Sequence, residues 1–279
     1  MSIFSGKPIS DVIDFAKHIK DDGLEGKLNA HFIFSMLIDE ITNDNENKFS
    51  YIRGDLRQEI WDLERFFGWN RKFFSQSGQD KFIHTHFFHS YFEKGFFVDV
   101  GAYDGVKGSN SLFFENILGW NGIAIEPAKG KFKDLRENRK CLCINQAVSG
   151  KKELVEFIEV THGYTQMSGL NTKNYSADYE FIMKDPASKI KKQIMQTTTF
   201  DELVLKNKNI DYLSVDIEGG EMDLLQSINF KFYDIKVISI ENKLPLQIDY
   251  QSYLSGKNFK RLDIVGSDEI YFNKSHFNY

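Results

Sequence analysis

The chain has 279 residues, a net charge of −5 at pH 7 and a sequence pI of about 5.8. This length suits one large α/β domain with or without an appendage, and the acidic balance argues against a general nucleic-acid binder, which needs a basic face. Two cysteines, Cys141 and Cys143, are too few for a disulfide framework and fit a reducing compartment. No segment approaches the roughly 20 apolar residues of a membrane span, and no signal peptide is visible. We therefore expect a cytoplasmic protein.

The beginning of the chain has a helical pattern and no alternation of strands and helices. Apolar residues recur near helical spacing in three stretches, ISDVIDFAKHI, HFIFSMLIDEI and RQEIWDLERFFGW. We therefore assign residues 1–72 to a helical N-terminal extension and residues 73–279 to a separate domain.

From residue 73 onward, short apolar strands alternate with helices. The strand candidates are FFVDVG, GIAIEP, CLCINQAVS, LVEFIEV, IDYLSVDIEGG and IKVISIEN. This alternation predicts a doubly wound, mostly parallel sheet, and FKRLDIVGSDEIYFNK predicts a terminal hairpin whose last strand is antiparallel. Residues 161–196 are predicted to form a long loop, which would serve as a lid, as a substrate contact or as a mobile insertion.

The end of the first strand combines acids with glycines. In FFVDVGAYDGVKGSNS, Asp99 and Asp104 lie close to Gly101, Gly105 and Gly108. This spacing differs from the G-x-G-x-x-G of dinucleotide enzymes, and the acids would repel a pyrophosphate, which prefers a bare helix N-terminus. Acids at this edge instead favour a ligand with cationic groups, such as S-adenosylmethionine, which carries an ammonium and a sulfonium.

Polar side chains also end the second and third strands. Glu126, in GIAIEP, is placed to accept both hydroxyls of a ribose, while Asn145 and Gln146 are amides suited to the edge of an adenine. Each residue alone has a plain structural alternative, since Asp99 is also suited to capping a turn, and the others to surface or loop positions. Together and in order, they predict a slot for a sugar and a base.

The fourth strand runs into another group of acids, and the fifth adds one more. Asp216, Glu218 and Glu221 follow IDYLSV, and Glu241 ends IKVISIE. One interpretation is that Glu218 and Glu221 only stabilise the start of a helix. The functional interpretation makes Asp216, Glu218 or Glu241 the base that accepts a proton from a bound substrate. The same acids would suit Mg²⁺, although the pattern does not require a metal and we predict none.

Several of these motifs occur in the order found in one family. VDVGAYDGVKGSNSLFFE, GWNGIAIEP, NRKCLCINQAVS and DYLSVDIEGGE resemble the FkbM-type S-adenosylmethionine-dependent methyltransferases, and SQSGQD and TTTFDELV match the surrounding pattern. The resemblance covers about residues 73–273. It implies a class I methyltransferase fold, a Rossmann-like seven-stranded sheet with an antiparallel last strand, and S-adenosylmethionine as cosubstrate. Family members most often methylate oxygen on sugars or natural-product scaffolds.

The resemblance also implies which residues bind the cofactor. Carried over by position, they are Gln79, Asp99, Gly101, Ala102, Asp104, Ser111, Glu126, Pro127, Gln146, Ala147 and Asp216. Asp99, Gly101 and Asp104 would line the methionine end. Ser111 would begin the following helix near the cofactor.

The remaining roles fall on the later strands. Glu126 would hold the ribose, Gln146 and Ala147 would flank the adenine, and Asp216 would lie beside the reactive methyl group. The chain has Gly220 after D-x-E-G, where the family often has another small residue. This difference changes little at the cofactor and leaves the acceptor side unassigned.

The function expected from these observations is methyl transfer to a hydroxyl of a sugar or glycan precursor. The alternatives are an N-methyltransferase acting on a small metabolite, a non-catalytic interaction module and, less favoured, an NAD oxidoreductase. The helical extension of residues 1–72 is suited to forming a homodimer, covering the acceptor site or docking on a biosynthetic partner, and the sequence does not choose among these roles.

Overall fold

A computed structural model of the chain describes residues 7–43, 51–90, 94–203, 208–245 and 247–277. Parts of the predicted helical extension, residues 1–6 and 44–50, lie outside the described residues. Among the helices in the described ranges, none combines the length and the apolar character needed to cross a bilayer.

Three helices at the start of the chain pack on one another. They are α1 (Ile9–Ile19), α2 (Gly23–Asn43) and α3 (Ile52–Phe66). Apolar side chains from all three, among them Val12, Phe34 and Leu56, form a shared buried cluster. The three predicted helices are therefore present, although α2 begins at Gly23, well before the predicted stretch HFIFSMLIDEI. The domain boundary itself stays a prediction.

The strands belong to two sheets. In chain order they are β1 (Phe96–Val100), β2 (Asn121–Ile125), β3 (Leu142–Ile144), β4 (Ala147–Val148), β5 (Leu154–His162), β6 (Gly169–Leu170), β7 (Lys189–Thr198), β8 (Asn209–Val215), β9 (Asp234–Glu241), β10 (Phe259–Val265) and β11 (Asp268–Asn273). In the described part of the chain, the larger sheet has seven strands in the order β10-β11-β9-β8-β1-β2-β3.

Strand direction in the larger sheet is mixed. β1 lies parallel to β2 and β8, and β8 lies parallel to β9, whereas β11 is antiparallel to both β9 and β10. The β10–β11 hairpin turns at Gly266 and Ser267, so Asp268 and Glu269 of the predicted GSDE turn belong to β11. The architecture is a mixed α/β fold that is compatible with a class I methyltransferase.

Helices connect the strands and cover the sheet. They are α4 (Gln79–Ile83), α5 (Leu112–Asn116), α6 (Lys129–Asn138), α7 (Ser176–Lys184), α8 (Glu221–Ser227) and α9 (Tyr250–Ser255). β1 is buried on both sides, with Val98 and Val100 in one apolar cluster and Phe97 in another. Burial on both faces explains why this strand is an almost continuous apolar run.

The segment predicted as a long loop is largely regular structure. Residues 161–196 contain β6, α7 and most of β7. β7 pairs antiparallel with β5 from Leu154↔Gln196 to His162↔Lys189, within a smaller sheet of order β4-β7-β5-β6. The prediction of a long loop was therefore wrong, because the pairing of β7 depends on a partner strand that lies far away in sequence.

The helical extension is attached to the edge of the larger sheet. Arg53 of α3 donates from Nε to Asp263 Oδ1 of β10 at 2.7 Å, and Arg57 also pairs with Asp263. Both Arg53 and Asp263 are buried. α3 also packs closely against the end of this strand, because a Cβ on Gly54 would overlap the carbonyl oxygen of Gly266.

Candidate functional site

A cavity of about 370 Å³ opens at the carboxyl ends of β1, β2 and β8. This position is where the strand order reverses, since β2 lies on one side of β1 and β8 on the other. Most of the residues predicted from the sequence line it: Gln79, Asp99, Gly101, Ala102, Glu126, Pro127, Gln146, Ala147, Asp216, Glu218 and Glu241.

Gly101 allows the strand ends to approach one another closely. Its φ is +93°, a conformation that favours glycine, and a Cβ at this position would overlap the carbonyl oxygen of Asp216. The N–H groups of Gly101 and Ala102 both donate to the carbonyl of Ile125 at 3.0 Å. The ends of β1, β2 and β8 therefore meet at one point of the cavity wall.

The carboxylate of Glu126 is held by main-chain N–H groups at the end of β2. Oε2 accepts from Tyr103 N at 3.0 Å and Oε1 accepts from Ala128 N at 2.7 Å. The side chain of Asn145 donates to the carbonyl of Glu126 at 2.8 Å and so supports the turn. Burial raises the pKa of Glu126 to about 8, against the lowering effect of the two N–H donors.

Asp99 reaches the cavity from β1 and is fixed from behind. Ser111 donates to its Oδ2 at 2.5 Å, and Arg139 donates from Nη2 to Ser111 Oγ at 3.0 Å. Burial raises the pKa of Asp99, while the charge of Arg139 acts in the opposite direction. The position of this carboxylate is therefore set by Arg139, directly after α6, and by Ser111, directly before α5.

Three residues predicted at the site do not line the cavity. Asp104 accepts from Val106 N at 3.0 Å and Lys107 N at 2.8 Å, so its carboxylate caps a turn. The hydroxyl of Ser111 donates to Asp99, and the side-chain amide of Asn145 donates to the carbonyl of Pro127 in the turn after β2. Each of these side chains is bonded to the protein's own backbone or to a neighbouring acid. The roles predicted for Asp104 and Ser111 at the cofactor, and for Asn145 at the adenine edge, stay predictions.

The side of the cavity predicted to hold adenine is an apolar slot. Ala147, Phe157 and Leu170 lie together there with Ala128, and the first three line the cavity. Gln146 is also present, but its Nε2 donates to the carbonyl of Gln196 at 2.7 Å. Phe157 and Leu170 come from the smaller sheet and were missed by sequence reasoning, although the alternation in LVEFIEV was a signal that Phe157 faces inward.

Three carboxylates converge on the other side of the cavity. Oxygens of Asp216, Glu218 and Glu241 all lie within 4.8 Å of one another. Burial, followed by the charge of Asp216, raises the pKa of Glu218 to about 8. Glu218 also has a positive φ of 61°, which is uncommon for a non-glycine residue and concentrates at functional sites. By contrast, Glu221 is outside the cavity lining and accepts from Gly219 N at 2.9 Å, so its carboxylate stabilises the turn.

Lys243 supplies positive charge to this cluster. Its ammonium pairs with Glu218, and it lies 3.3 Å from Glu241 and 3.7 Å from Asp178. The spacing of the three carboxylates also suits a divalent cation, but Lys243 already offsets part of their charge. Sequence reasoning missed Lys243, and its only signal was its position two residues after Glu241.

Two further polar groups complete this side of the cavity. Burial, followed by the charge of Asp216, raises the pKa of Asp268 to about 7, and Asn110 donates to Ser214 Oγ at 3.2 Å. Both residues line the cavity. Neither residue was predicted to belong to the site.

An exposed aromatic pair lies at the rim. Tyr164 lines the cavity, and its ring centroid is 5.0 Å from that of Phe181 on α7. Their exposed fractions are 43 and 49 %. The segment that carries Tyr164 is attached to the cavity wall, since the hydroxyls of Thr165 and Tyr103 are 2.6 Å apart.

The comparisons with known proteins identify the family. No curated protein matches the chain. A family model described as the methyltransferase FkbM domain matches residues 99–260, which are more than half of the chain and run from β1 to β10. These residues carry most of the cavity wall. The chain therefore belongs to the FkbM methyltransferase family, as its motifs predicted.

Proposed function

We propose that this methyltransferase uses S-adenosylmethionine and methylates a hydroxyl of a sugar or glycan precursor, on a class I methyltransferase fold. The observation that carries the proposal is Glu126, whose two carboxylate oxygens are each fixed by one main-chain N–H at the end of β2. In the ionised form, each oxygen keeps a lone pair for one more donor, so the pair suits the two adjacent hydroxyls of a ribose.

The rest of the cavity fits the same ligand. The slot formed by Ala147, Phe157 and Leu170 offers apolar surface to a base, and Asp99 offers a carboxylate to a cationic group. S-adenosylmethionine would supply an activated methyl group. The protein's own contribution is to bind, to orient and to exclude water.

The carboxylate cluster is placed to act on the acceptor. A hydroxyl held by Glu218 would be oriented toward the cavity, and the carboxylate would take its proton. A pKa near 8 leaves part of Glu218 ionised at neutral pH and makes it an effective base in that range. Asp216 and Glu241 would share this role or hold Glu218 in position.

The rim favours a ring-shaped polar acceptor. Tyr164 and Phe181 form an exposed aromatic surface on which the apolar face of a sugar ring can pack. Gln76 and Gln166 line the same cavity and offer hydrogen bonds to hydroxyls. The acid cluster also favours a second candidate, a small amine acceptor that would be N-methylated.

Calorimetry with S-adenosylmethionine and with NAD tests the donor. We expect S-adenosylmethionine to bind, and we expect Glu126→Gln to weaken its binding at least tenfold, because a neutral amide cannot accept both hydroxyls. Glu137→Gln, the same change at an exposed position of α6, is the matched control. Binding of NAD alone, or unchanged donor affinity in Glu126→Gln, would contradict the assignment.

A second assay tests the acceptor. The protein is incubated with a donor that carries a labelled methyl group and with sugar nucleotides, glycan fragments or small amines. Mass spectrometry then measures the masses of the products. We expect label on a sugar hydroxyl, and we expect Tyr164→Ala to raise the acceptor KM while the donor affinity stays constant. Label only on amines would support the second candidate, and donor binding without any product would indicate a non-catalytic module.

A further inference from the structure

The helical extension exposes large apolar side chains on one face. Leu24, Leu28 and Phe32 are four residues apart on α2 and therefore lie along the same side of that helix. Phe66 and Trp69, at and just after the end of α3, are also exposed. Their exposed fractions are Leu24 61 %, Leu28 43 %, Phe32 64 %, Phe66 60 % and Trp69 55 %. These five side chains are called the apolar patch below.

The two parts of the apolar patch meet along α2. Lys27 places its ammonium 5.3 Å from the centroid of the Phe66 ring, and His31 meets the Trp69 ring edge-on at 5.3 Å. Lys27 and His31 border Leu24 and Leu28 on the helix surface. The side chains from α3 therefore continue the row on α2, and the patch is one surface.

The apolar patch faces away from the core of the extension. On α2, Ala30, Phe34 and Leu37 point into the buried cluster shared with α1 and α3. The row that starts at Leu24 lies on the opposite side, so packing within the extension leaves it exposed. A row of this size on the outer side of a helix indicates contact with another surface.

The area of the apolar patch is in the range that often marks a functional surface. Five such side chains, at roughly 100 Å² of exposed surface each, present on the order of 500 Å². Two copies would contribute about 1,000 Å², the lower bound for a specific interface, before a polar rim is counted. The combined area of two such patches therefore reaches the minimum for a specific interface between two copies of the chain.

We propose that the apolar patch is the interface of a homodimer with two-fold symmetry. The row on α2 is centred on Leu28, so an antiparallel pair of α2 helices places Leu28 against Leu28 of the second copy. The same register places Leu24 against Phe32 of the second copy. A row that is complementary to itself in this way is what a two-fold interface requires.

The charges around the row agree with self-association. Glu25 and Lys27 flank the row and carry opposite charges. Two copies in contact therefore do not place surfaces of the same charge against each other. The interface involves the helical extension and leaves the cavity residues outside it. The proposal is therefore independent of the donor and the acceptor.

Size-exclusion chromatography with multi-angle light scattering tests the dimer on the full chain over a wide concentration range. We expect the wild type at about twice 32.4 kDa. Leu28→Glu and Phe66→Glu should both give the monomer mass, because each places a charge in the interface. Ile117→Glu, an exposed apolar residue outside the patch, is the matched control and should stay dimeric. Circular dichroism melts verify that all variants are folded.

Two results would overturn the proposal. The first is a wild type that is monomeric at every concentration. If that monomer also sediments with anionic lipid vesicles, the patch is assigned to a membrane surface. The second is a dimer that persists in both Leu28→Glu and Phe66→Glu.

Discussion

Lys243 pairs with Glu218 across the ends of β9 and β8, and the same ammonium lies 3.3 Å from Glu241. One cation therefore serves two carboxylates that line the cavity, the buried Glu218 and the partly buried Glu241, and a third, Asp216, lies beside them. Removing the ammonium of Lys243 would leave the buried carboxylate of Glu218 without its opposite charge. The proton affinity of the whole cluster consequently depends on Lys243.

We expect Lys243→Met to shift the pH dependence of methyl transfer toward higher pH. The pKa of Glu218 is about 8, and the charge of Lys243 lowers it. Without that charge the pKa rises, so less of the carboxylate is ionised at neutral pH, and activity should fall at least tenfold there and recover as pH increases. The measurement is a profile of kcat against pH.

Lys243→Arg is the matched control for this change. It keeps the positive charge, and its profile should stay close to that of the wild type. A Lys243→Met profile that superimposes on the wild type would show that Lys243 does not set the pKa of a catalytic base.

We expect Gly101→Ala to destabilise the protein and to abolish donor binding. The alanine would have to adopt a φ near +93° and would collide with the carbonyl of Asp216. Strained backbone and steric overlap together should cost about 2–4 kcal/mol. Urea unfolding gives the loss of stability, and calorimetry gives the loss of binding.

Gly130→Ala provides the comparison. Gly130 lies in α6, and a Cβ there would have only Glu159 Oε1 nearby, at 3.6 Å. Alanine is favoured over glycine inside a helix by about 1 kcal/mol, so this variant should be as stable as the wild type or slightly more stable. Equal stability of the two variants would show that the ends of β1 and β8 do not need to approach closely.

The ligand-free protein should lose stability as pH rises from about 5 to about 8. Burial raises the pKa of Glu126 from 4.5 to about 8. It also raises the pKa values of Asp268 and Glu218. At a pH between the pKa of the unfolded state and the pKa of the folded state, the folded protein holds a proton that the unfolded chain has released. The free energy of unfolding therefore decreases with pH, by about 1.4 kcal/mol for each unit of pKa difference.

Thermal melts across this range, with and without Glu126→Gln, measure the effect. A glutamine cannot ionise, so the slope of Tm against pH should become flatter in Glu126→Gln and stay unchanged in Glu137→Gln. A wild-type Tm that rises steadily through this range would show that these carboxyl groups are not protonated in the folded state.

Asp263→Asn should loosen the attachment of α3 to β10. Asp263 accepts from Arg53 at 2.7 Å and also pairs with Arg57, and a neutral amide would leave the buried charge of Arg53 poorly compensated. We expect the free energy of unfolding, measured with urea, to fall by about 3–5 kcal/mol.

Lys20→Gln is the control for this pair. Lys20 and its partner Glu59 are both partly exposed. The free energy of unfolding should therefore fall by less than about 1 kcal/mol. Equal effects of the two changes would indicate that the extension is not anchored through Asp263.

Much of this protein follows from its sequence. The apolar run of β1, the acid at the end of β2 and the order of the motifs predicted the α/β sheet, the family and the place of the cavity. These features are local, because strand burial, turn chemistry and the period of apolar residues depend on neighbours in the chain. The residues at the strand ends could therefore be named before their geometry was known.

Tertiary structure alone decided how those residues are used. Ser111 lies behind Asp99, Lys243 joins the acid cluster, and Phe157 reaches the cavity from a second sheet. The apolar patch likewise became one surface only when α2 and α3 packed together. The direction of a side chain at a strand end depends on segments that are distant in sequence, and periodicity carries no information about such contacts.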